Sequence, residues 1–105
     1  KQCIMVDDMI DTGGSIAHGA QALVDRGAAS VIACCTHPVF SPGVFDRFAD
    51  SPIERVIVTN SIPFRQEDHP YREKITVLSV APLLADAIRR IHKDDSVSEL
   101  FDRQW

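Results

Sequence analysis

The sequence predicts an α/β domain in which a mostly parallel β-sheet is flanked by helices. Short continuous apolar runs, typical of strands covered on both faces, alternate along the chain with segments in which apolar residues recur at helical spacing. Strands that alternate with helices favour parallel pairing through helical crossovers. The 105 residues suffice for one small domain, and a composition of 45% hydrophobic and 25% charged residues is that of an ordinary globular protein.

The first half of the chain reads as two strand–helix pairs. Residues 3–6 are a short continuous apolar run, which is typical of a buried strand, and residues 30–35 are a second one. Between them, helical spacing runs from Ser15 to Gly27, where a glycine favours the end of a helix. A short amphipathic helix is expected over residues 44–48.

The second half reads as two strands separated by a long connection, followed by a last helix. Residues 56–58 and 75–80 are strand runs, and residues 61–74 hold prolines and charges typical of a surface connection. A helix is expected from Pro82, because proline suits a first helical turn, with cations near its end at Lys93. The order is β-α-β-α-β-β-α with a short tail. Because the chain begins in a strand at its second residue, the fold is expected to be incomplete at its N-terminus.

Charge and cysteine content narrow the classes of function. Eleven Lys and Arg against 15 Asp and Glu give a net charge of −4. This charge argues against non-specific electrostatic binding to nucleic acid or to an anionic membrane. No stretch approaches the roughly 20 apolar residues of a membrane span. The cysteines are odd in number, and the adjacent pair Cys34 and Cys35 would point to opposite faces of a strand, so a reducing, cytoplasmic setting is expected.

The segment after the first predicted strand contains residues suited to binding an anion. Gly13 and Gly14 lack a Cβ, so the backbone can turn sharply and bring consecutive N–H groups close to an anion. Thr12 and Ser15 add hydroxyl donors, and the N-terminus of the following helix adds a positive dipole. The pattern predicts a phosphate site built mostly from backbone. The alternative is an ordinary turn followed by a serine-capped helix.

Two acids precede this turn. Ionised Asp7 and Asp8 only accept hydrogen bonds, so their natural partners are vicinal hydroxyls of a sugar or a Mg²⁺ ion. Acids, a short spacer and a phosphate site together indicate a sugar phosphate as the ligand. Neither a P-loop nor a dinucleotide-binding glycine motif is present in the sequence.

Residues 6–15 resemble the phosphoribosyl-diphosphate-binding motif of type I phosphoribosyltransferases, in which an apolar strand and two acids lead into a Thr-Gly-Gly-Ser/Thr turn. Four further segments, in register along essentially the whole chain, resemble the ribose-phosphate pyrophosphokinase family. They are residues 34–41, 58–62, 82–88 and 96–101. The resemblance implies a type I phosphoribosyltransferase-like fold and covers only the C-terminal part of the family's chain.

The resemblance implies transfer of the diphosphoryl group of MgATP to the C1 hydroxyl of ribose 5-phosphate, which gives phosphoribosyl diphosphate for nucleotide biosynthesis and AMP. Asp7, with Asp8 beside it, would hold the ribose hydroxyls. The 5-phosphate would be held by the turn residues Asp11, Thr12, Gly13, Gly14 and Ser15. Mg²⁺ would come with ATP, whose site is implied in an absent N-terminal part and in neighbouring subunits of a homo-oligomer, a hexamer by resemblance.

This portion is expected to hold no catalytic residue and no assigned metal ligand, so the chain alone should be inactive. The tail resembles a site for an allosteric phosphate or the diphosphate of ADP, with Ser96, Ser98 and Phe101 as its residues. Ser96 and Glu99 also fit a capping box at the start of a last short helix, and both interpretations stay open. His37 and the proline after it are expected to form a turn rather than to provide a catalytic base.

Two other functions remain as alternatives. A salvage phosphoribosyltransferase consumes phosphoribosyl diphosphate, but it needs a base-recognition hood, and nothing after Ile75 resembles one. A non-catalytic regulatory or assembly subunit could keep the fold, but the intact acidic pair and glycine turn favour a working site.

Overall fold

The structure, a computed structural model, describes residues 1–64 and 68–102, with only the backbone of residues 101 and 102. Strands and helices alternate, as the apolar patterns predict. The strands are β1 (Gln2–Ile10), β2 (Ser30–Pro38), β3 (Ile53–Thr59) and β4 (Ile75–Leu78). The α-helices are α1 (Gly14–Asp25), α2 (Val44–Ala49) and α3 (Ala81–His92), and two 3₁₀-helices span Pro70–Lys74 and Ser98–Asp102.

The four strands form one parallel sheet in the order β1-β2-β3-β4. This confirms the predicted α/β class with a parallel sheet and flanking helices. Each strand pairs with the next strand along the chain, and right-handed crossovers that always step in one direction place their helices on one face. Accordingly, α1 packs on β1 and β2, and α2 contacts α1.

The core lies between the sheet and the helices α1 and α2. Alternate residues of the two central strands are buried there, namely Val31 and Ala33 of β2 and Val56 and Val58 of β3. Aromatic rings in edge-to-face contact surround α2: Phe40, Phe45, Phe48 and Phe64. Because a helix as short as α2 is unstable in isolation, this packing is what holds it in place.

The opposite face of the sheet is bare in the described part of the chain. Ile4 and Val6 of β1 are 64% and 79% exposed, and α3 likewise exposes Leu84, Ile88 and Ile91. The apolar runs predict strands covered on both faces, whereas the described residues cover one. In residues 1–64 and 68–102, none of the helices combines the length and apolar character that a membrane span needs.

Several element boundaries differ from the prediction, and three of the differences change how the chain is interpreted. β1 and β2 both continue beyond their apolar runs, because Met9 pairs with His37 and Ile10 with Pro38. The predicted turn at His37 is therefore wrong, since strand pairing holds this residue in β2. β4 ends earlier than predicted, at Leu78, and a 3₁₀-helix closes the connection that precedes it.

Candidate functional site

The turn between β1 and α1 borders a cavity of about 180 Å³ at the carboxyl end of the sheet. Open α/β sheets bind their ligands at this edge. The lining residues are Asp7, Met9, Ile10, Asp11, Thr12, Gly13, Gly14, Ser15 and Ile16. Every residue predicted to hold ribose 5-phosphate is among them except Asp8.

The start of α1 leaves backbone donors without an acceptor in the helix. Gly13 caps the helix with left-handed backbone angles, φ 82° and ψ 0°, and no side chain caps the first turn. Since the first N–H groups of a helix have no acceptor within it, those of Ser15 and Ile16 are available to an anion. The Thr12 hydroxyl accepts from the N–H of Gly14 at 3.3 Å and so holds the turn in shape. The alternative of a serine-capped helix is wrong, because Ser15 lies inside α1.

Asp7 and Asp8 lie inside β1 rather than in the loop that the apolar run predicts. Neighbouring side chains of a strand point to opposite faces of the sheet, so the two carboxylates diverge. Asp7 lines the cavity, whereas Asp8 does not. The Asp7 carboxylate accepts from the N–H of Asp8, and the Asp8 carboxylate from the N–H of Met9, both at 2.8 Å. The structure therefore brings only one acid of the predicted pair to the glycine turn.

The third acid, Asp11, is bound to a serine from the connection between β2 and α2. Ser41 donates its hydroxyl to the Asp11 carboxylate and its N–H to the Asp11 carbonyl oxygen, the latter at 3.0 Å. Since the carboxylate is engaged, Asp11 shapes the turn and leaves contact with an anion to backbone N–H groups and hydroxyls. Ser41 was not predicted as a site residue. Its position just after a buried strand, at the same sheet edge, is the signal that could have found it.

The model of the phosphoribosyl synthetase-associated domain family matches residues 1–102 of the chain. The chain belongs to this family. A ribose-phosphate pyrophosphokinase from Clostridium acetobutylicum is 50% identical over 104 residues, which cover 99% of this chain and 32% of that protein. Ribose-phosphate pyrophosphokinase 1, chloroplastic, from Arabidopsis thaliana is 50% identical over 101 residues, which cover 96% of this chain and 25% of the relative.

A solved structure shows the same fold. The crystal structure of phosphoribosylpyrophosphate synthetase from Mycobacterium smegmatis matches with a TM-score of 0.80 and 44% identity, covering 90% of this chain and 31% of that one. The chain thus spans about a third or less of the length of these relatives. The family resemblance inferred from the motifs is confirmed.

His37 takes part in a hydrogen bond between two strand ends. Its Nδ1 lies 2.7 Å from the Ser61 hydroxyl, which itself donates to the Thr36 carbonyl at 3.0 Å. Since the hydroxyl proton is used, we assign the ring proton to Nδ1 of His37, which donates it to Ser61. The contact joins the ends of β2 and β3, and His37 does not line the cavity.

The tail of the domain is held by an arginine rather than by a capping box. Arg90 donates to the Glu99 carboxylate at 2.9 Å and to the Ser96 carbonyl at 3.1 Å. The capping box is therefore wrong: Glu99 binds the arginine, and the Ser96 hydroxyl bonds to that of Ser98 at 2.7 Å. The hydrogen bond with Glu99 raises the pKa of the Arg90 guanidinium. The side chain of Phe101 lies outside the described residues.

A second cavity, of about 340 Å³, lies beside α3 and the tail. Its lining is charged throughout and consists of Asp86, Arg89, Arg90, Lys93, Asp95 and Glu99. Asp86 pairs with Arg89 at 2.7 Å and with Arg90 at 3.5 Å. Neither Ser96 nor Ser98, which were predicted to bind an allosteric anion, lines this cavity.

The acids of the described region do not form a shared metal site. Within residues 1–64 and 68–102, no group of three His, Cys, Asp or Glu side chains is placed to hold a metal ion. Asp7 and Asp8 diverge, and Asp11 is bound to Ser41. Mg²⁺ commonly keeps several waters and binds substrate phosphates with only one or two carboxylates, so a Mg²⁺ ion bound to a nucleotide would require no cage of acids.

Proposed function

We propose that this chain is the ribose 5-phosphate-binding part of a ribose-phosphate pyrophosphokinase. In the proposed reaction, the C1 hydroxyl oxygen of ribose 5-phosphate attacks the β-phosphorus of MgATP and loses its proton, the bond from that phosphorus to the oxygen on the α-phosphorus breaks, and AMP leaves. The observation that carries the proposal is the single cavity in which the glycine turn, the start of α1 and Asp7 meet. The relatives' names and identities support it.

The turn supplies the phosphate side of the proposed site. The N–H groups of Ser15 and Ile16 donate to the anion, and the helix dipole favours its charge. The Thr12 hydroxyl, which accepts from Gly14, keeps its own hydrogen to donate, and the exposed Ser15 side chain adds a second hydroxyl. These contacts hold the substrate by its phosphate end, at a distance from the reacting C1 oxygen. Their contribution is therefore to position the substrate.

Asp7 supplies the sugar side of the proposed site. One of its carboxylate oxygens is engaged with the N–H of Asp8, and the carboxylate keeps acceptor capacity for the vicinal ribose hydroxyls. Asp8 diverges from the cavity and takes no part in the proposed contacts. An Asp8 variant is therefore a matched control for an Asp7 variant.

The donor half of the proposed reaction lies outside this chain. We place ATP with its Mg²⁺ on another part of the protein and on neighbouring subunits of a homo-oligomer in the cytoplasm. The chain spans only about a third of its relatives, and a transferring phosphoryl group needs cations that neutralise its charge. The 105-residue chain alone is therefore expected to form no phosphoribosyl diphosphate.

Calorimetry with ribose 5-phosphate tests the proposed site in the full-length protein, meaning the whole reading frame that encodes these residues. Asp7→Ala and Gly14→Val are expected to weaken binding about tenfold or more with little change in fold, because one removes a charged acceptor and the other fills the turn. Asp8→Ala should bind like the wild type. Unchanged affinity in the first two variants would remove their proposed roles, and binding without turnover would favour a non-catalytic homologue.

A further inference from the structure

An arginine from a different helix lies against the glycine turn. A Cβ built on Gly14 would be 2.8 Å from Nη1 of Arg47, and one built on Gly13 would be 3.6 Å from Cδ of the same side chain. The arginine therefore runs along both glycines, and its guanidinium ends beside Gly14. Arg47 belongs to α2, which contacts α1.

The guanidinium of Arg47 forms no hydrogen bond or ion pair within the described residues. Two nearby acids are already engaged: Asp11 binds Ser41, and Asp46 binds His69 at 2.8 Å. Arginine stays charged at physiological pH and presents a planar fork of donors that matches phosphate oxygens. Since the side chain is exposed, an anion can reach it without displacing a protein partner.

Arg47 and Thr12 approach the same point of the turn. Oγ1 of Thr12 lies 3.6 Å, and Nη1 of Arg47 lies 2.8 Å, from the position of a Cβ on Gly14. Both donors thus flank the first residue of α1, next to the helix N–H groups that have no internal acceptor. A phosphate has three terminal oxygens and can accept from the helix start, the hydroxyl and the guanidinium together.

The charge of the cavity also favours a cation at this position. Asp7 and Asp11 bring two carboxylates to the lining, and both repel a phosphate at short range. The start of a helix offsets only about half an elementary charge. Arg47 supplies a full positive charge beside the turn.

We propose that Arg47 binds the 5-phosphate of ribose 5-phosphate, a role that rests on the function proposed above. It also explains why glycine suits position 14, since a Cβ at 2.8 Å from Nη1 would push the guanidinium away. If Arg47 only packed on the turn, neutralising its charge would leave the ionisation of the bound phosphate unchanged.

Calorimetry on the full-length protein compares Arg47→Gln, Arg47→Lys and Arg26→Gln. Arg26 is an exposed arginine at the opposite end of α1, so its variant removes the same charge away from the turn. We expect Arg47→Gln to weaken ribose 5-phosphate binding about 10- to 100-fold and Arg47→Lys to weaken it less. Arg26→Gln should stay within about twofold of the wild type, because exposed charges at a distance are screened. An Arg47→Gln affinity within about twofold of the wild type would overturn the proposal.

³¹P NMR of bound ribose 5-phosphate separates charge contact from packing. A nearby guanidinium favours the dianion and lowers the second pKa of the phosphate, ordinarily about 6. The phosphate should therefore titrate at lower pH on the wild type than on Arg47→Gln, with Arg26→Gln matching the wild type. If the bound phosphate titrates at the same pH on the wild type and on Arg47→Gln, only the proposed role of Arg47 is overturned. A wild-type protein that fails to bind ribose 5-phosphate would overturn the proposed function as well.

Discussion

The Asp11 carboxylate accepts a hydrogen bond from the Ser41 hydroxyl, and the Asp11 carbonyl oxygen accepts from the Ser41 N–H at 3.0 Å. The β1–α1 and β2–α2 connections are thereby joined at one edge of the sheet. Donors at a turn bind an anion well only in a fixed arrangement. Ser41, which helps to fix this arrangement, therefore lies in the β2–α2 connection, whereas the donors lie in the β1–α1 turn.

Ser41→Ala is expected to loosen the turn and lower the free energy of unfolding by about 1 kcal/mol, because it removes a hydrogen bond to a charged acceptor. Amide hydrogen exchange at residues 12–15 should become faster. Asp11→Ala should act similarly, and the double variant should cost no more than either single one, because the two residues form one unit.

Hydrogen-exchange mass spectrometry and urea unfolding measure these effects. Ser51→Ala is the control, since it also removes a bonded hydroxyl, the one that donates to the Phe48 carbonyl at 2.8 Å, and Ser51 does not line the cavity. Fully additive losses in the Ser41 and Asp11 variants would contradict the paired role.

Gly13→Ala is expected to destabilise the fold more than Gly43→Ala. Both glycines have left-handed backbone angles, with φ 82° and 88°, and a Cβ in that conformation costs about 1 kcal/mol. Only at Gly13 does the added atom also crowd a neighbour, at 3.2 Å from Cγ2 of Val44, while nothing lies within 4 Å at Gly43. Urea unfolding compares the two variants, and equal midpoints would show that the Val44 contact costs nothing.

Arg90→Ala is expected to release the tail from α3, so that amides in residues 96–102 exchange faster. The reason is that Arg90 donates to both the Ser96 carbonyl and the Glu99 carboxylate. If the tail also binds a regulatory phosphate, as the family resemblance implies, the affinity for inorganic phosphate should fall in the same variant. Hydrogen-exchange mass spectrometry and phosphate titration measure the two effects.

Arg89→Ala is the matched control for the tail. Arg89 pairs with Asp86 at 2.7 Å, the same acid that Arg90 approaches, but its side chain is 64% exposed and this pair lies within α3. Its loss should leave exchange in the tail unchanged. Equal acceleration in both variants would mean that Asp86, rather than the bonds of Arg90 to the tail, controls the exchange.

Stability is expected to fall at alkaline pH because of Cys35. Burial raises the pKa of its thiol from 9.0 to about 11, so the folded protein keeps this proton more tightly than the unfolded chain. The resulting stabilisation is complete below about pH 9 and is lost as the pH rises toward 11. Tyr71, whose pKa burial raises from 10.0 to about 12, adds a later decline.

Unfolding free energies measured in urea across this pH range test the assignment to Cys35. Cys35→Ala should flatten the decline between pH 9 and 11, whereas Cys34→Ala, at the partly exposed neighbour, should retain it. An unchanged slope in Cys35→Ala would assign the decline to other groups.

Much of the fold was predictable because its signals are local. The apolar runs, the helical spacing after Ser15 and the paired glycines each occupy a few consecutive residues, and the elements follow in the expected order. The end of β1 was not predictable, because pairing with β2, such as Met9 with His37, keeps the polar residues after the apolar run in the strand. The acids were therefore assigned to a loop when they belong to a strand.

The amino-acid order alone establishes the α/β class and predicts an anion site at the turn of Thr12, Gly13 and Gly14, because periodicity and glycine conformation are properties of neighbouring residues. The folded chain alone shows that Asp7 and Asp8 diverge, that Ser41 holds Asp11 and that Arg47 lies beside the turn. The first of these follows from the alternation of side chains along β1. The second follows from the pairing of β1 with β2, which places the ends of the two strands side by side, and the third from the packing of α2 against α1. Contacts between residues far apart in the chain leave no periodic signal in the sequence.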